Sequence, residues 1–280
     1  MSDERDPAPV DLLVRGTVVD VLAGELDERA VAVEDGEIVG FGERPAAREL
    51  AAPYVAPGLI NAHMHVESTM LTLPRYGERA LAGGVTAVIA DPHEIGNVLG
   101  VEGVRALRAT ADRTPLKARF AVPSCVPATD LQDAGARIGP EAVADLGAED
   151  DVIALGEVMD TAALVEGDPE LHAKLRAARE AGLRIDGHLA GVGGERLQAA
   201  ARHLDNDHES RTLAAAREKL RAGLRLHLRQ GSSSRNLEAL LPLIERFGDR
   251  RLSLCTDNFY VDDLLEHAGV DEAVRLAIDG

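Results

Sequence analysis

The 280-residue chain is long enough to form one α/β barrel or two smaller domains, and its hydrophobic fraction of 45% is that of a globular protein. Aromatic residues make up only 2% of the chain, so we expect a core of Ala, Val, Leu and Ile. The formal net charge of −18 argues against nucleic-acid binding, because phosphate contacts need a basic face. No apolar stretch reaches membrane-spanning length. The two cysteines, Cys125 and Cys255, form no Cys-x-x-Cys pair, which fits a reducing compartment. A soluble, cytoplasmic protein is expected.

The charged residues are unbalanced in kind as well as in sign. Three lysines stand against 27 arginines and 48 acidic residues. An acidic, lysine-poor surface is typical of salt-adapted proteins, in which salt screens the repulsion between like charges. A merely acidic protein from a low-salt organism is the alternative, and we favour the halophilic interpretation.

The N-terminal part of the chain contains two predicted segments. Residues 1–9 are polar and acidic and are expected to form a disordered tail. Residues 10–55 contain short β-prone runs separated by Gly and acidic turns. They predict a small β element with strands at residues 11–14, 18–21, 30–33 and 38–41.

From residue 56 to residue 280, strand-like runs alternate with helix-like stretches. The strand-like runs end near His65, Asp91, Cys125, Glu157, His188, His208, Arg229 and Asp257. Amphipathic stretches separate them, for example at residues 98–113, 169–181, 213–222, 236–247 and 271–278. This repetition predicts a parallel (β/α)8 barrel of the TIM type, whose active site lies at the C-terminal ends of the strands.

Possible metal ligands stand at several of these strand ends. His63 and His65 lie two residues apart, so in a strand both imidazoles point to one face and can bind one cation. Later strand ends add four imidazole or carboxylate groups, from Glu157, His188, His208 and Asp257. Each one alone is explained by a satisfied histidine or a helix N-cap, but six together predict a metal site. Zinc, manganese and iron all accept such ligands.

Two glycine-containing loops have competing interpretations. Residues 191–194 lack the G-x-G-x-x-G spacing of a dinucleotide-binding loop and are expected to form a flexible loop at the barrel mouth. Residues 231–234 can donate hydrogen bonds to a ligand or cap the next helix, and the sequence favours neither.

Sequence blocks at the strand ends identify a family. The longest are HMHVESTML at residues 63–71 and DPHEIGNVLG at residues 91–100, and shorter ones are DGH at 186–188, DHE at 207–209, GSSSRNLE at 231–238 and CTD at 255–257. These blocks resemble the microbial adenine deaminases of the amidohydrolase superfamily. The resemblance extends from about residue 10 to the end of the chain, and DPHEI is its most specific element.

Four features depart from the family pattern. The loop after His188 lacks the usual proline-containing turn, the stretch between the fifth and sixth strands is short, and Arg235 stands where a lysine is common. The chain also ends soon after the eighth strand, whereas family members continue with segments that complete a small β-sandwich and with a further domain. Residues 10–55 are therefore expected to be part of a β-sandwich. The C-terminal region would be missing, and the chain alone would be weakly active and prone to associate.

The resemblance implies a metallo-dependent hydrolase that converts adenine to hypoxanthine and ammonia. Its cofactors would be two divalent transition metals, manganese or iron. Many amidohydrolases bridge two metals with a carboxylated lysine in the fourth strand, where this chain has Glu157. One metal would be held by His63, His65, Glu157 and Asp257, and the other by Glu157, His188 and His208.

Catalytic and substrate-contacting groups also follow from the resemblance. Asp257 would accept a proton from the attacking water and pass it to the leaving amine. An acid near the ring nitrogen would come from Glu209, Glu67 or Glu94, with Glu209 taken as the catalytic residue. Glu67, His93 and Glu94 would contact the substrate. The alternative for His93 and Glu94 is a helix start, with Asp91 as N-cap and Glu94 in a capping box.

Two other functions stay open on the sequence alone. One is an amidohydrolase acting on a cyclic amide, against which the DPHEI block and the lack of a fourth-strand lysine argue. The other is an inactive truncated fragment. Cysteine-ligated zinc deaminases are excluded, because the chain lacks their Pro-Cys-x-x-Cys signature. The expected partners are a purine base and either further copies of the chain or a separately encoded C-terminal portion, with no nucleic acid and no membrane.

Overall fold

The computed structural model describes residues 8–247 and 250–280, so most of the predicted tail at residues 1–9 lies outside the described residues. The chain divides into two compact units, Met1–Gly58 and Leu59–Gly280. The first unit contains one mixed sheet in the order β3-β2-β1-β4. Its strands are β1 (Val10–Asp20), β2 (Glu25–Glu34), β3 (Glu37–Phe41) and β4 (Ala46–Val55).

This sheet differs from the predicted β element mainly in two strands, and β2 also begins five residues before the predicted run at residues 30–33. The two predicted runs at residues 11–14 and 18–21 form one continuous strand, β1. Gly16 permits this, because a Cβ there would lie 2.2 Å from the carbonyl oxygen of Ala52 in the neighbouring β4. Strand β4 was not predicted, since its mostly exposed side chains show no alternation of apolar and polar residues. Residues 8–58 form this single layer and do not form a second sheet.

The strands of the second unit are parallel and occur in barrel order. One sheet has the order β13-β5-β6-β7-β8-β9 and the other has the order β10-β11-β12. These strands are β5 (Leu59–His65), β6 (Val85–Ala90), β7 (Lys117–Val122), β8 (Val152–Val158), β9 (Arg184–Gly187), β10 (Asn206–Asp207), β11 (Arg225–Arg229), β12 (Leu252–Cys255) and β13 (Asp257–Asn258).

Two connections join these sheets. β12 and β13 are successive segments of the eighth strand, and the amide of Asp205, just before β10, donates to the carbonyl oxygen of Ile185 in β9 at 2.9 Å. The arrangement agrees with the predicted (β/α)8 barrel.

Helices alternate with these strands. They are α1 (Leu73–Ala82), α2 (His93–Arg108), α3 (Pro140–Gly147), α4 (Thr161–Glu166), α5 (Pro169–Glu180), α6 (Gly194–Ala200), α7 (Leu213–Arg221), α8 (Leu237–Leu240), α9 (Pro242–Phe247), α10 (Val261–Glu266) and α11 (Val270–Asp279). Local sequence explains several starts: Asp168 accepts a hydrogen bond from the amide of Leu171 at 2.7 Å, and Pro169 follows at the first helical position. Within the described part of the chain, none of these helices combines the length and apolar character required to cross a bilayer.

Two helices differ from their predicted bounds. Helix α2 begins at His93, five residues before the predicted start, and kinks at Gly100, whose φ of 63° suits glycine. Its N-cap is Pro92, without a side-chain cap bond, so the interpretation of Asp91 as the N-cap of a capping box is wrong. The stretch predicted as one helix at residues 236–247 forms the two short helices α8 and α9.

The core of the barrel unit is aliphatic, as the composition predicts. Fully buried side chains such as Leu73, Leu155, Ile185 and Leu197 line it, with Phe120 as a rare aromatic member. Each such side chain contributes about 1.5–3 kcal/mol through removal from water. This packed interior supports the polar cluster at the C-terminal ends of the strands.

Candidate metal centre

The C-terminal ends of the barrel strands bring together the six side chains predicted as metal ligands. They are His63 and His65 at the end of β5, Glu157 in β8, His188 after β9, His208 after β10, and Asp257 at the start of β13. Five are almost fully buried, and His188 has 25% of its side chain exposed. The barrel therefore places one partly open histidine beside a buried polar cluster.

Glu157 lies at the centre of this cluster. Its Oε1 is 3.1 Å from Nε2 of His65, and its Oε2 is 3.2 Å from Nε2 of His208. Nδ1 of His188 also contacts Oε2. Burial alone would raise the pKa of Glu157, but the close contacts with these three imidazoles hold that pKa well below its usual range.

Asp257 faces the histidines from the eighth strand. Its Oδ1 is 3.1 Å from Nε2 of His65 and 3.9 Å from Nε2 of His63, while its Oδ2 accepts a hydrogen bond from Arg229 at 2.6 Å. Burial would raise the pKa of Asp257, yet hydrogen bonding with His65 and the nearby imidazole charges lower it. The residue has a φ of 59°, an uncommon left-handed conformation for a non-glycine residue and one that is often found at functional sites.

The donor atoms of the cluster suit a divalent cation. Four overlapping groups each offer ligand atoms within 4.8 Å of one another: His63, His65 and Asp257; His63, Glu157 and His208; His188, His208 and Glu209; and His65, Asp91, His93 and Glu157. Nε2 of His63 and Nε2 of His208 are buried without a hydrogen-bond partner among the described residues. Buried nitrogens of this kind need a partner, which a metal ion would supply.

The histidines are electrostatically coupled to the carboxylates. Burial would lower the pKa values of His65 and His208, but neighbouring carboxylates raise both well above 6.5: Asp257 and Glu157 act on His65, and Asp186 and Glu157 act on His208. Metal ions bind the neutral imidazole, so binding would displace these protons.

Two aspartates that the sequence analysis did not assign to the site orient its histidines. The carbonyl oxygen of Asp91 accepts a hydrogen bond from Nδ1 of His65 at 2.9 Å. The carboxylate of Asp91 accepts the amide of Glu157 at 3.0 Å and lies against Gly156, where a Cβ would come within 2.4 Å of Oδ2. Asp186, in β9, lies 2.8 Å from Nδ1 of His63. Both aspartates lie inside or directly after predicted strands. That position could have identified them as candidate site residues.

A buried ion pair fixes the residues after β9 and β10. Nζ of Lys219 lies 2.7 Å from Oδ2 of Asp207 and donates to the carbonyl oxygen of Leu189 at 2.8 Å. Asp207 in turn accepts the amides of Leu189 at 2.7 Å and of Glu209 at 3.0 Å. This pair therefore positions the backbone on both sides of His188 and His208.

A second buried lysine supports the fourth strand. Nζ of Lys174 donates to the carbonyl oxygen of Ser124 at 3.0 Å, and Oγ of Ser124 donates to the carbonyl oxygen of Glu157 at 2.6 Å. Burial lowers the pKa of Lys174. Two of the three lysines of the chain thus lie behind the cluster.

The predicted acid Glu209 is paired with an arginine. Arg229, at the end of β11, is buried and contacts both Glu209 and Asp257. Burial would raise the pKa of Glu209, but the charge of Arg229 lowers it. Oε1 of Glu209 lies 3.8 Å from Nε2 of His188.

The three residues predicted to contact the substrate differ in how closely they approach the cluster. Nδ1 of His93 is 3.5 Å from Oε1 of Glu157. Glu67 accepts the amide of Ile95 at 3.2 Å through Oε1, while its Oε2 is buried without a hydrogen-bond partner among the described residues. Burial raises the pKa of Glu67. Glu94 lies in the first turn of α2 and belongs to none of the metal-binding groups that the described residues form.

The serine loop after β11 has a structural role. Oγ of Ser232 accepts the amide of Tyr260 at 2.7 Å, and the N-cap of α8 is Asn236. Serine capping of the next helix is therefore wrong. Of the predicted loop at residues 191–194, Gly193 is the N-cap of α6 and Gly194 is the first residue of that helix.

The sequence profile of the amidohydrolase family matches residues 54–276, which is most of the chain. The chain belongs to the amidohydrolase family. Among solved structures, its fold is similar to a beta-aspartyl dipeptidase from Fervidobacterium islandicum AW-1, with a TM-score of 0.64 at 16% identity, covering 96% of this chain and 81% of the other. This likeness supports the barrel fold alone.

Curated relatives are closer in sequence. The chain is 38% identical over 278 residues to an adenine deaminase of Desulfatibacillum aliphaticivorans, covering 98% of this chain and 49% of that protein. It is 41% identical over 278 residues to an adenine deaminase of Deinococcus deserti, covering 96% of this chain and 50% of that protein. The chain thus spans about half the length of these relatives.

Proposed function

We propose that the barrel binds two divalent transition metals, manganese or iron, at the C-terminal ends of its strands. The support is the convergence of buried imidazoles and carboxylates, including ring nitrogens with no partner among the described residues. One metal would be held by His63, His65, Glu157 and Asp257, and the other by Glu157, His188 and His208. Bound divalent metals lower the pKa of a water molecule and so supply a nucleophile near neutral pH.

The proposed reaction is hydrolysis of a C–N bond, the deamination of adenine to hypoxanthine and ammonia. The observation that carries this proposal is the identity of 38–41% to proteins named adenine deaminase, across nearly the whole of this chain. The sequence block at residues 91–95, which gave the most specific resemblance, leads into the edge of the metal cluster. Salvage or breakdown of purines in the cytoplasm would be the physiological setting.

The residues of the chain would divide the proton transfers between them. Asp257 is ionised, because neighbouring imidazoles lower its pKa, so it can accept a proton and deliver it to the leaving amine. Glu67 is better suited than Glu209 to protonate the ring nitrogen, since burial raises the pKa of Glu67 whereas Arg229 lowers that of Glu209. His93, with Glu94 beyond it, would contact the base.

The β-sheet unit would be one layer of a small β-sandwich. Large apolar side chains of this sheet are exposed and would gain from a covering layer: Leu26, Ile38, Phe41, Leu50 and Tyr54. The covering strands would come from a second copy of the chain or from a separately encoded C-terminal portion. The acidic, lysine-poor composition supports a halophilic setting for this assembly.

Metal analysis tests the proposed centre. The protein, stripped with a chelator and reconstituted with Mn²⁺ or Fe²⁺ in high salt, should bind close to two metals per chain. His63→Ala and His208→Ala should each lower that number, because each removes a ligand of a different metal. His203→Ala is a matched control, since His203 belongs to none of the metal-binding groups. An intact wild-type protein that binds no transition metal would contradict the proposal.

A substrate panel tests the reaction: ammonia release reports deamination of purines and cytosine, and chromatography of ring-opened products reports hydrolysis of hydantoins and dihydropyrimidines, which frees no ammonia. The complete enzyme should turn over adenine, and it should not turn over adenosine, cytosine, hydantoins or dihydropyrimidines. Asp257→Asn should abolish turnover, because the amide cannot accept the proton. Preferential hydrolysis of a hydantoin or a dihydropyrimidine would favour the cyclic-amide alternative.

A further inference from the structure

Asp186 stands between two histidines that the proposed function assigns to different metals. Its Oδ2 lies 2.8 Å from Nδ1 of His63, and its Oδ1 lies 3.7 Å from Nδ1 of His208. The two imidazoles are stacked, with ring centroids 4.4 Å apart and planes 21° apart. Asp186 is 5% exposed, so water does not compete freely for these contacts.

The carboxylate restricts the tautomer of each ring. A neutral imidazole carries one N–H, and an ionised carboxylate only accepts hydrogen bonds. A ring that turns Nδ1 toward Asp186 therefore carries its proton on Nδ1 and leaves the lone pair on Nε2. Those Nε2 atoms face the carboxylates of the cluster: His208 is 3.2 Å from Glu157, and His63 is 3.9 Å from Asp257.

The tautomer of His65, the third buried histidine of the cluster, does not depend on Asp186. Nδ1 of His65 donates to the backbone carbonyl oxygen of Asp91, which fixes the same tautomer independently. By contrast, Nδ1 of His208 is buried without a hydrogen-bond partner among the described residues, and Oδ1 of Asp186 approaches it at an ion-pair distance of 3.7 Å. His65 therefore serves as an internal reference within the same centre.

We propose that Asp186 is a positioning residue shared by both metals, in that its single carboxylate fixes the metal-binding tautomer of His63 and of His208. The inference rests on the proposed two-metal function. It predicts that the two metal positions are coupled through one residue that contacts neither metal. Hydrogen bonds from carboxylates to metal-binding histidines typically change metal affinity by about 10- to 100-fold.

The hydrogen bonds around Asp186 predict which histidine loses its metal-binding tautomer in the variant Asp186→Asn. Oδ1 of Asp186 also accepts the amide of Gly187 at 2.9 Å. In Asp186→Asn, the oxygen would keep that bond, so the NH2 group would replace Oδ2 and face His63. Nδ1 of His63 would then become an acceptor and its proton would move to Nε2, where it blocks metal binding.

Two measurements on the full chain test this inference. Asp186→Asn should retain about one of two Zn²⁺ ions at concentrations that saturate the wild type, with about 10- to 100-fold weaker binding of the other. Long-range ¹H–¹⁵N NMR of the variant should show His63 protonated on Nε2 and His65 unchanged on Nδ1. Asp205→Asn is the matched control, because Asp205 contacts the other end of β9 through the amide of Ile185.

The wild type provides a test that does not depend on the variant folding. In the Zn²⁺-loaded wild type, the same NMR experiment should place the protons of His63, His65 and His208 on Nδ1. A proton on Nε2 of His63 there, or an Asp186→Asn protein that binds two metals with unchanged affinity, would overturn the role of Asp186. A wild type that binds no metal would instead count against the proposed function.

Discussion

Gly156 is a position at which a single methyl group should directly disturb the cluster of candidate metal ligands. A Cβ at Gly156 would lie 2.4 Å from Oδ2 and 2.7 Å from Cγ of Asp91, where ordinary contacts begin at 3.4 Å. In Gly156→Ala, the Asp91 carboxylate must therefore retreat by about 1 Å, and it is held in a buried site by the amide of Glu157. The movement would break that hydrogen bond.

The expected loss of stability combines two effects. Overpacking a well-packed interior costs about 1–3 kcal/mol, and leaving the buried Glu157 amide without an acceptor costs about 1–3 kcal/mol more. Gly156→Ala should therefore lower the free energy of unfolding by about 2–6 kcal/mol. It should also weaken metal binding, because Glu157 and His65 both depend on Asp91 for their placement.

Urea unfolding of the metal-free proteins, followed by far-UV circular dichroism, measures this loss. Gly139→Ala is the matched control, since its added Cβ meets nothing within 4 Å and its φ is −93°. That variant should stay within about 1 kcal/mol of the wild type, since Gly139 is the N-cap of α3 and alanine is a poorer N-cap than glycine. If Gly156→Ala were as stable as Gly139→Ala, the close packing of Gly156 against Asp91 would be refuted.

Three further predictions concern charge and metal. Lys219→Met should lower the free energy of unfolding by about 3–5 kcal/mol, because Asp207 is left as an unpaired buried charge; urea unfolding would disprove this if the loss were below about 1 kcal/mol. Burial lowers the pKa of the partly buried His227 to about 4, so between pH 6.5 and pH 4 the unfolded chain binds a proton there that the folded chain does not. Stability should fall by about 1–2 kcal/mol as pH drops through that window, and a His227→Gln variant with an equally steep loss would rule this cause out. Mn²⁺ at 100 times its Kd should add about 2.7 kcal/mol of stability, reversed by a chelator, and an unchanged melting temperature would argue against the site.

The barrel and the candidate ligands were predictable because both follow from short-range rules. Alternation along a strand places His63 and His65 on one face, and parallel strands bring His188, His208 and Asp257 to the same end of the barrel. The predicted strand ends differ little from the observed ones. For example, the strand predicted to end near Cys125 ends at Val122. Such errors leave the fold unchanged, because the register of a strand depends on its neighbours.

The supporting groups were harder to predict because their partners are distant in sequence. Asp91 contacts Glu157 across 66 residues, and the contact of Asp186 with His63 is similarly non-local. The sequence offered Asp91 a helix N-cap as the alternative interpretation, which is the common local role of an aspartate before proline. Strand β4 was missed for a related reason, since its pairing with β1 and not its own sequence pattern defines it.

The burial of two lysines leaves the molecule with little reactive amine on its surface. Lys174 and Lys219 are 5% and 1% exposed, and both are engaged with backbone carbonyl oxygens. All three lysines are among the described residues. Of these, only Lys117, the first residue of β7, is exposed, and it lies at the strand end opposite the cluster of candidate metal ligands. Among the lysines, an amine-reactive dye or resin would therefore react at Lys117 alone. Protein immobilised through Lys117 would keep the mouth of the barrel turned toward solution.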